Sequence, residues 1–156
     1  MSLRNWLIDF SRGDNLGGFW RLCRLRERTG SRILRSLCTF LMCRRAHRLG
    51  GYVGPGAVFR GIPELPHGLH GVFISRYAEI GAGCRIYQNV TVGEVNGRAP
   101  VIGEDCLIGA GAVLVGGIRI GRNVKIGAGA VVCRDVPDGC TVVAGPPRVL
   151  IRSEGG

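Results

Sequence analysis

The sequence predicts a mainly β fold in which short parallel strands stack into a solenoid. Between residues 102 and 132 an aliphatic residue occurs at every sixth position, and in four of these units glycine follows it directly. Because six is a multiple of the two-residue period of a strand, the aliphatic side chains point the same way. A unit with one apolar position cannot bury that position alone, so successive units must stack. The aliphatic residues are Ile102, Ile108, Leu114, Ile120, Ile126 and Val132.

Residues 1–50 precede the repeat, and their apolar spacing predicts helices. A short apolar cluster at residues 6–10 is followed by a candidate helix over residues 19–29. A third candidate begins after Ser31, which suits an N-cap, and stops at Gly50. Since the open end of a solenoid needs covering, the segment is predicted to cap the first coil. The predicted buried face of the third helix comprises Ile33, Leu34, Leu37, Cys38, Leu41 and Met42.

The positive charge of the chain is concentrated in this same segment. Of a net charge of +10, residues 1–50 contribute 11 arginines against three acidic residues. An alternative role for the segment is therefore an arginine-rich surface for anionic lipid or for an acidic partner. The sequence contains no recognised nucleic-acid module, so nucleic acid is not expected as a partner.

The solenoid is predicted to occupy residues 51–151, with a tail at residues 152–156. The repeat starts at Val53 and is interrupted twice, by insertions within residues 63–71 and 94–100. Without the inserted residues, the remaining length corresponds to about five coils of roughly eighteen residues. Departures from a repeat form loops that often carry the binding face, so the chemistry is expected there.

The seven cysteines favour a reducing compartment. They include no C-x-x-C pair, which argues against a metal ribbon or a redox motif. Cys84 and Cys106 occupy the small inward position of their units, where a thiol behaves as a small hydrophobe. No secretory signal or membrane-spanning run is visible. The predicted location is the cytoplasm, with the inner face of the membrane as the alternative if the arginines bind lipid.

The six-residue pattern resembles the hexapeptide repeat of the left-handed parallel β-helix acyltransferases. This resemblance implies three hexapeptides per triangular coil, left-handed crossovers and a homotrimer. The expected fold is a left-handed parallel β-helix of about five coils with a short α-helical cap. The segment G-I-P-E-L-P-H, followed by G-V-F-I-S, resembles the catalytic-histidine segment of serine acetyltransferases and related O-acetyltransferases.

The first insertion contains the candidate catalytic residues. His67 and His70 lie three residues apart, and histidine is the usual general base for a hydroxyl at neutral pH. The resemblance places the general base at His67, while His70 remains a competitor because one extra residue precedes Gly71. Glu64 is the nearest acid in the sequence and could orient the base.

The acceptor side departs from the serine acetyltransferase pattern. Tyr52 and Pro66 stand where the resemblance implies acids, and Ala99 replaces a second active-site histidine. Arg98 matches a position that contacts the acceptor's carboxylate in that family. These departures favour an uncharged hydroxyl acceptor, such as a sugar, over L-serine. Neutral groups at the coil edge are expected to bind it, namely Tyr87, Gln88 and Asn89.

The donor side fits the family better. The resemblance implies an acyl-CoA groove between subunits, in which backbone groups of small residues hold the pantetheine and basic side chains meet the phosphates. Small residues let a ligand approach the backbone closely, although the repeat also needs them at its corners. The matching positions are Gly109, Ala110, Lys125, Gly127 and Ala128.

The predicted function is therefore an acetyl-CoA-dependent O-acetyltransferase that needs no metal and acts on a small molecule or sugar hydroxyl. Its direct alternative is a true serine O-acetyltransferase of cysteine biosynthesis. Alternatives of another class are a non-catalytic β-helix scaffold and a metal lyase resembling γ-class carbonic anhydrase. The lyase is disfavoured because it needs three histidine ligands per zinc, and only His67 and His70 lie in the solenoid.

Overall fold

The structure, a computed structural model, describes residues 16–146. Two helices precede thirteen short strands in this part of the chain. The helices are α1 (Gly17–Arg28) and α2 (Arg32–Arg48). The strands are β1 (Tyr52–Val53), β2 (Val58–Phe59), β3 (Phe73–Ile74), β4 (Glu79–Ile80), β5 (Arg85–Ile86), β6 (Thr91–Gly93), β7 (Val101–Ile102), β8 (Leu107–Ile108), β9 (Val113–Val115), β10 (Arg119–Ile120), β11 (Lys125–Ile126), β12 (Val131–Val132) and β13 (Thr141–Val142).

The strands form three parallel sheets that the chain visits in turn. Face 1 has the order β1-β3-β6-β9-β12, face 2 the order β10-β7-β4-β2 and face 3 the order β13-β11-β8-β5. The predicted left-handed parallel β-helix with a helical cap is confirmed. The strands complete about four turns. Isolated bridges, Glu64 to Arg85 and Ile120 to Val136, extend the first and last turns towards the expected five.

The core is a set of aliphatic columns, one for each face. On face 1, Leu114 pairs in register with Val92 in the preceding coil and with Val132 in the following coil. All three side chains are buried, as are the other aliphatic residues of the six-residue series. Like residues therefore stack on like residues, and each coil buries the apolar positions of its neighbours.

Cys84 and Cys106 lie in adjacent coils and are both buried, as their sequence position predicts. A hydrogen bond with the Cys106 thiol, together with desolvation, raises the pKa of the Cys84 thiol above its ordinary value. The Cys84 thiol therefore serves as a packing group between coils, since a buried neutral thiol is a poor nucleophile.

Glycine at the corners lets the backbones of adjacent coils touch. A Cβ atom built on Gly103 would lie 2.6 Å from the carbonyl oxygen of Gly121, one coil further on. A Cβ atom built on Gly81 would likewise clash with the backbone carbonyl group of Gly103. The recurring glycine is therefore required by close backbone approach between coils at these corners.

The helix boundaries agree with the sequence prediction. The Leu34 N–H donates to the Ser31 Oγ at 3.4 Å, so Ser31 is the N-cap of α2. Gly50 has a φ of 78° and ends the helical segment two residues before β1. This left-handed conformation favours glycine and turns the chain directly into the first coil.

The two helices cover the end of the first coil, as predicted, but α2 presents a different face to it. Phe19 and Trp20 of α1 are buried, and the Trp20 ring lies 5.2 Å from the Phe59 ring of β2. The buried residues of α2 are Cys38, Met42 and Ala46. Of the predicted buried face only Cys38 and Met42 are buried, whereas Ile33, Leu34, Leu37 and Leu41 are exposed.

Some predictions concern residues that the structure does not describe. The apolar cluster at residues 6–10, the end of the solenoid at residue 151 and the tail at 152–156 lie outside residues 16–146. The division at residue 50 stays a prediction, since α1, α2 and the first coil share one core cluster. Among residues 16–146, neither helix has the length and hydropathy needed to cross a membrane.

Candidate active site

The turns that lead from face 3 to face 1 form one edge of the β-helix, which we call the histidine edge. It comprises residues 65–72, 87–90, 109–112 and 127–130. The turns are hydrogen-bonded to one another: Asn89 N–H donates to the His70 oxygen, Gly111 N–H to Gln88 and Gly129 N–H to Ala110, at 2.9 to 3.0 Å. Residues 65–72, which we call the histidine loop, are therefore linked by hydrogen bonds to the turns that contain the predicted donor and acceptor positions.

The histidine loop is held by its apolar residues and its glycines. Leu69 and Val72 are buried, so they anchor the loop in the core of the first coil. Gly68 and Gly71 have φ values of 64° and 66°, which allow the sharp turns between these anchors. Gly71 also donates to the Gly50 oxygen at 2.8 Å, which ties the loop to the exit of α2.

Both histidines of the loop are exposed, but they have different surroundings. The His67 ring centroid lies 6.0 Å from the centroid of Tyr87, with the ring planes inclined at 50°. The His70 Nδ1 lies beside Gly50, 3.4 Å from where a Cβ on that glycine would be. His67 is therefore the histidine that stands over the next turn of the edge, whereas His70 faces the exit of α2.

Gln88 occupies the same turn as Tyr87 and has an unsatisfied acceptor. Its Oε1 is buried and has no hydrogen-bond partner among the described residues. Buried polar atoms in native structures nearly always have a partner, so an unsatisfied one calls for an explanation. Because the oxygen is fully buried, a ligand along the histidine edge would satisfy it only if the Gln88 side chain turned outward.

Glu64 does not orient a histidine in this structure. Its Oε2 accepts a hydrogen bond from Arg85 at 2.8 Å. This hydrogen bond and the charge of Glu64 raise the pKa of the Arg85 guanidinium. Glu64 also pairs through its backbone with Cys84 and Ile86, which places it on face 3 as a strand-like residue. The carboxylate is therefore engaged on the outer surface of that face.

The predicted donor positions have two different environments. A Cβ on Gly109 would lie 2.6 Å from the Ala128 nitrogen, so close coil packing already requires this glycine. In contrast, Cβ atoms on Gly111 and Gly129 would meet nothing within 4 Å. The edge is thus open beside Ala110 and Ala128, where a linear ligand can approach the backbone. Lys125 is exposed on face 3, two residues before the last turn.

Arg98 lies on another edge, where face 1 leads to face 2. The second insertion is a tight hairpin: Val95 and Arg98 exchange backbone hydrogen bonds of 2.9 and 3.1 Å. Asn96 and Gly97, between them, have φ values of 52° and 73°, as in a type I′ turn. The Asn-Gly dipeptide is a signal for this hairpin that the sequence analysis missed. Within one chain, the first and second insertions therefore project from different edges.

The same hairpin region contains an acid that the sequence analysis did not single out. Glu94 directly precedes the hairpin and accepts a hydrogen bond from the Ser75 hydroxyl at 2.6 Å. It is exposed, as is Arg98. A carboxylate and a guanidinium therefore flank one hairpin. No group of three or more potential metal ligands occurs among residues 16–146.

Comparisons with known proteins agree with the repeat and the β-helix fold described above. A family described as bacterial transferase hexapeptide (six repeats) matches residues 99–134. The serine acetyltransferase of Synechococcus elongatus is 45% identical over 108 residues, which are 67% of this chain and 44% of that protein. The chain carries the hexapeptide transferase repeat and is a homologue of serine acetyltransferases. The Bacillus subtilis serine acetyltransferase is 42% identical over 105 residues, 65% of this chain and 48% of the relative.

Solved structures of serine acetyltransferases share the fold. Isoform 3 from Entamoeba histolytica, in complex with cysteine, has a TM-score of 0.73 and 32% identity, over 87% of this chain and 50% of its own. The Neisseria gonorrhoeae enzyme, in complex with serine, has a TM-score of 0.72 and 35% identity. The match covers 84% of this chain and 55% of the Neisseria chain. The chain spans about half the length of these relatives.

Proposed function

We propose that the protein is an acetyl-CoA-dependent O-acetyltransferase with L-serine as its acceptor. The observation that carries the proposal is the histidine edge, on which His67 stands over hydrogen-bonded turns that end in an open strip of small residues. The similarity to serine acetyltransferases supports L-serine better than the uncharged acceptor that the sequence predicted.

In this mechanism His67 is the general base. Its imidazole takes the proton of the acceptor hydroxyl while the hydroxyl oxygen attacks the thioester carbonyl of acetyl-CoA. The C–S bond breaks, the acetyl group stays on the acceptor oxygen, and the CoA thiolate leaves and takes up a proton. A positioned general base typically contributes about 10²–10⁴-fold to the rate. A backbone N–H at the coil edge stabilises the oxyanion.

The donor lies along the histidine edge. Its pantetheine arm runs beside Ala110 and Ala128, where the open positions at Gly111 and Gly129 leave the backbone accessible. If the Gln88 side chain turned outward on binding, its Oε1, which is buried and unpaired in this structure, would accept a hydrogen bond from an amide N–H of the pantetheine. Lys125 is exposed two residues from this edge and meets a phosphate of CoA.

The acceptor needs groups from two edges, and hence from two subunits. L-serine carries a carboxylate and an ammonium, which call for a cation and an acid. Arg98 and Glu94 flank one hairpin and supply both charges. Because this hairpin and His67 project from different edges of one chain, a neighbouring subunit of a cyclic trimer brings the hairpin to the histidine.

An uncharged hydroxyl compound is the second candidate acceptor, and one observation favours it. Tyr52 occupies the position where the resemblance implies an acid partner for the base. Its ring stacks on Phe73, with the centroids 6.0 Å apart and the planes at 28°. This surface offers an apolar wall rather than a charge, which suits the ring of a sugar.

The acceptor assignment predicts that L-serine and acetyl-CoA together release free thiol. The Michaelis constant for L-serine is expected within the range of about 1 μM–1 mM that is usual for enzymes. Arg98→Ala should raise this constant, because the acceptor carboxylate loses its cation, while Arg119→Ala on face 2 is the matched control. Thiol release with uncharged sugars but not with L-serine would move the assignment to the second candidate. No release with any acceptor would favour a non-catalytic scaffold.

The shared site predicts complementation between two variants that are each impaired, when they are assayed at L-serine concentrations too low for Arg98→Ala to bind it. His67→Ala and Arg98→Ala subunits, unfolded together and refolded as mixed trimers, should regain activity. About one quarter of the sites then combine an intact histidine with an intact neighbouring arginine. The separately refolded variants are the control. Mixed material without gain, or a monomer by light scattering at assay concentration, would contradict an intersubunit site.

A further inference from the structure

Helix α2 has an apolar stripe that faces away from the β-helix. Ile33, Leu37 and Leu41 recur at intervals of four residues, so they share one side of the helix. The buried residues Cys38 and Met42 lie on another side, against α1 and the first coil. Ile33 is 84% exposed and Leu37 51% exposed. An apolar stripe of this extent on a water-facing helix indicates an interaction surface.

The stripe continues into arginines towards the end of the helix. Arg44 follows Leu41 by three residues and Arg48 follows Arg44 by four, so both lie on the same side of α2. A groove between the two helices is lined by Leu25 and Leu41 together with four arginines, Arg21, Arg44, Arg45 and Arg48. We call the stripe and this groove together the outer helix face. Apolar side chains and guanidinium groups therefore lie side by side on it.

One of these arginines is held in place by the fold. A Cβ on Gly18 would lie 2.7 Å from the guanidinium carbon of Arg45. The Arg45 side chain thus crosses from α2 to α1 at the one residue type without a side chain to block it. Its charge is therefore presented in the groove by contact with the α1 backbone.

No acidic surface of the described chain matches this charge. Residues 17–48 contain nine arginines and a single acid, Glu27, and no carboxylate among residues 16–146 pairs with the four groove arginines. Residues 51–146 are close to balanced, with eight basic and seven acidic residues. A second copy of the chain would therefore bring net positive charge against this face, so charge complementarity favours a different, anionic partner.

We propose that the outer helix face binds the surface of an anionic lipid bilayer. Arginines near such a surface are attracted to its negative charge, and apolar side chains beside them insert at the acyl boundary. An acidic protein would match the arginines but would leave the exposed apolar stripe of Ile33, Leu37 and Leu41 without a role. Because the helices cover the first coil, which contains His67, binding places the candidate active site close to the bilayer.

Vesicle sedimentation of the full chain tests this proposal. The vesicles are phosphatidylcholine alone, or phosphatidylcholine mixed with phosphatidylglycerol, at low and at high salt. We expect binding only to the mixed vesicles, with loss at high salt because the charges are then screened. Polyglutamate is the probe for an acidic partner, and light scattering reports self-association.

Two double variants separate the charge from the apolar stripe. Arg44→Gln with Arg48→Gln should weaken vesicle binding about tenfold or more, whereas Arg119→Gln with Arg134→Gln, an equal charge change on the β-helix, should not. Ile33→Asn with Leu37→Asn should weaken it by a similar factor without a change in charge, with Val143→Asn as the control. All four substituted arginine and apolar positions are exposed, so circular dichroism should be unchanged.

Each other outcome overturns the proposal. No binding to the mixed vesicles would show that the outer helix face does not bind an anionic bilayer. If the Ile33→Asn, Leu37→Asn variant bound the vesicles as well as the unchanged protein, the apolar stripe would have no part in binding. That result, or equally strong binding to polyglutamate, would indicate an acidic partner that is recognised by charge alone. A lower assembly mass for the apolar variant would assign the stripe to contact between copies of the chain.

Discussion

Replacing His67 by alanine is expected to lower kcat by at least about 10²-fold while leaving the unfolding midpoint unchanged. The rate falls because the acceptor hydroxyl loses its general base. Stability is unaffected because the His67 side chain is exposed and the loop is anchored by Leu69 and Val72 instead. Steady-state kinetics of thiol release and thermal unfolding measure the two effects.

The matched control is His70→Ala, in the same loop. His70 is also exposed, and its Nδ1 lies beside Gly50 at the exit of α2. It should therefore keep most of the activity. An inactive His70→Ala with a normal His67→Ala would transfer the role of base to His70. Equal, small effects of both changes would remove the histidine loop from the mechanism.

Replacing Leu114 by alanine is expected to give the largest loss of stability among single core changes on face 1. The side chain is fully buried between Val92 and Val132 in the adjacent coils. Its truncation removes apolar contacts and leaves a cavity, which together cost about 2–5 kcal/mol in the free energy of unfolding. Urea unfolding measures the loss, at one fixed protein concentration because assembly would add to the apparent stability.

Val131→Ala is the control for this change. Val131 lies on face 1 next to Val132, but its side chain is 69% exposed and points away from the core. Truncation at such a surface site usually changes stability by less than about 0.5 kcal/mol. A loss at Leu114 no greater than that at Val131 would contradict the assignment of inward and outward positions along the strand.

The core and the strand register could be predicted because their cause is local in the sequence. A strand alternates its side chains with a period of two, so a period of six marks the inward positions without further information. The six aliphatic residues of the series from Ile102 to Val132 are buried for this reason, and Cys84 and Cys106 occupy the small inward position as expected. The Ser31 cap and the Gly50 stop are equally local signals.

The buried face of α2 could not be predicted, because apolar residues cover more than one side of this helix. Ile33, Leu37 and Leu41 are as apolar as Cys38 and Met42. The short link through Gly50 and Gly51 into β1 fixes how α2 is rotated on the first coil, and it turns Cys38, Met42 and Ala46 inward. The choice between the two sides is thus a property of the packing, not of the helix.

For the candidate site, the sequence by itself determined the coil repeat, the two insertions and the residue types that could act as base, cation and donor contact. Only the tertiary structure decided which of them meet. His67 stands over Tyr87 because a coil returns the chain to the same edge after about twenty residues, whereas Arg98 projects from another edge. Glu64, close to His67 in sequence, pairs instead with Arg85 in the next coil. In a solenoid, nearness in space depends on position within the coil, so neighbours in the sequence can diverge while residues one coil apart come together.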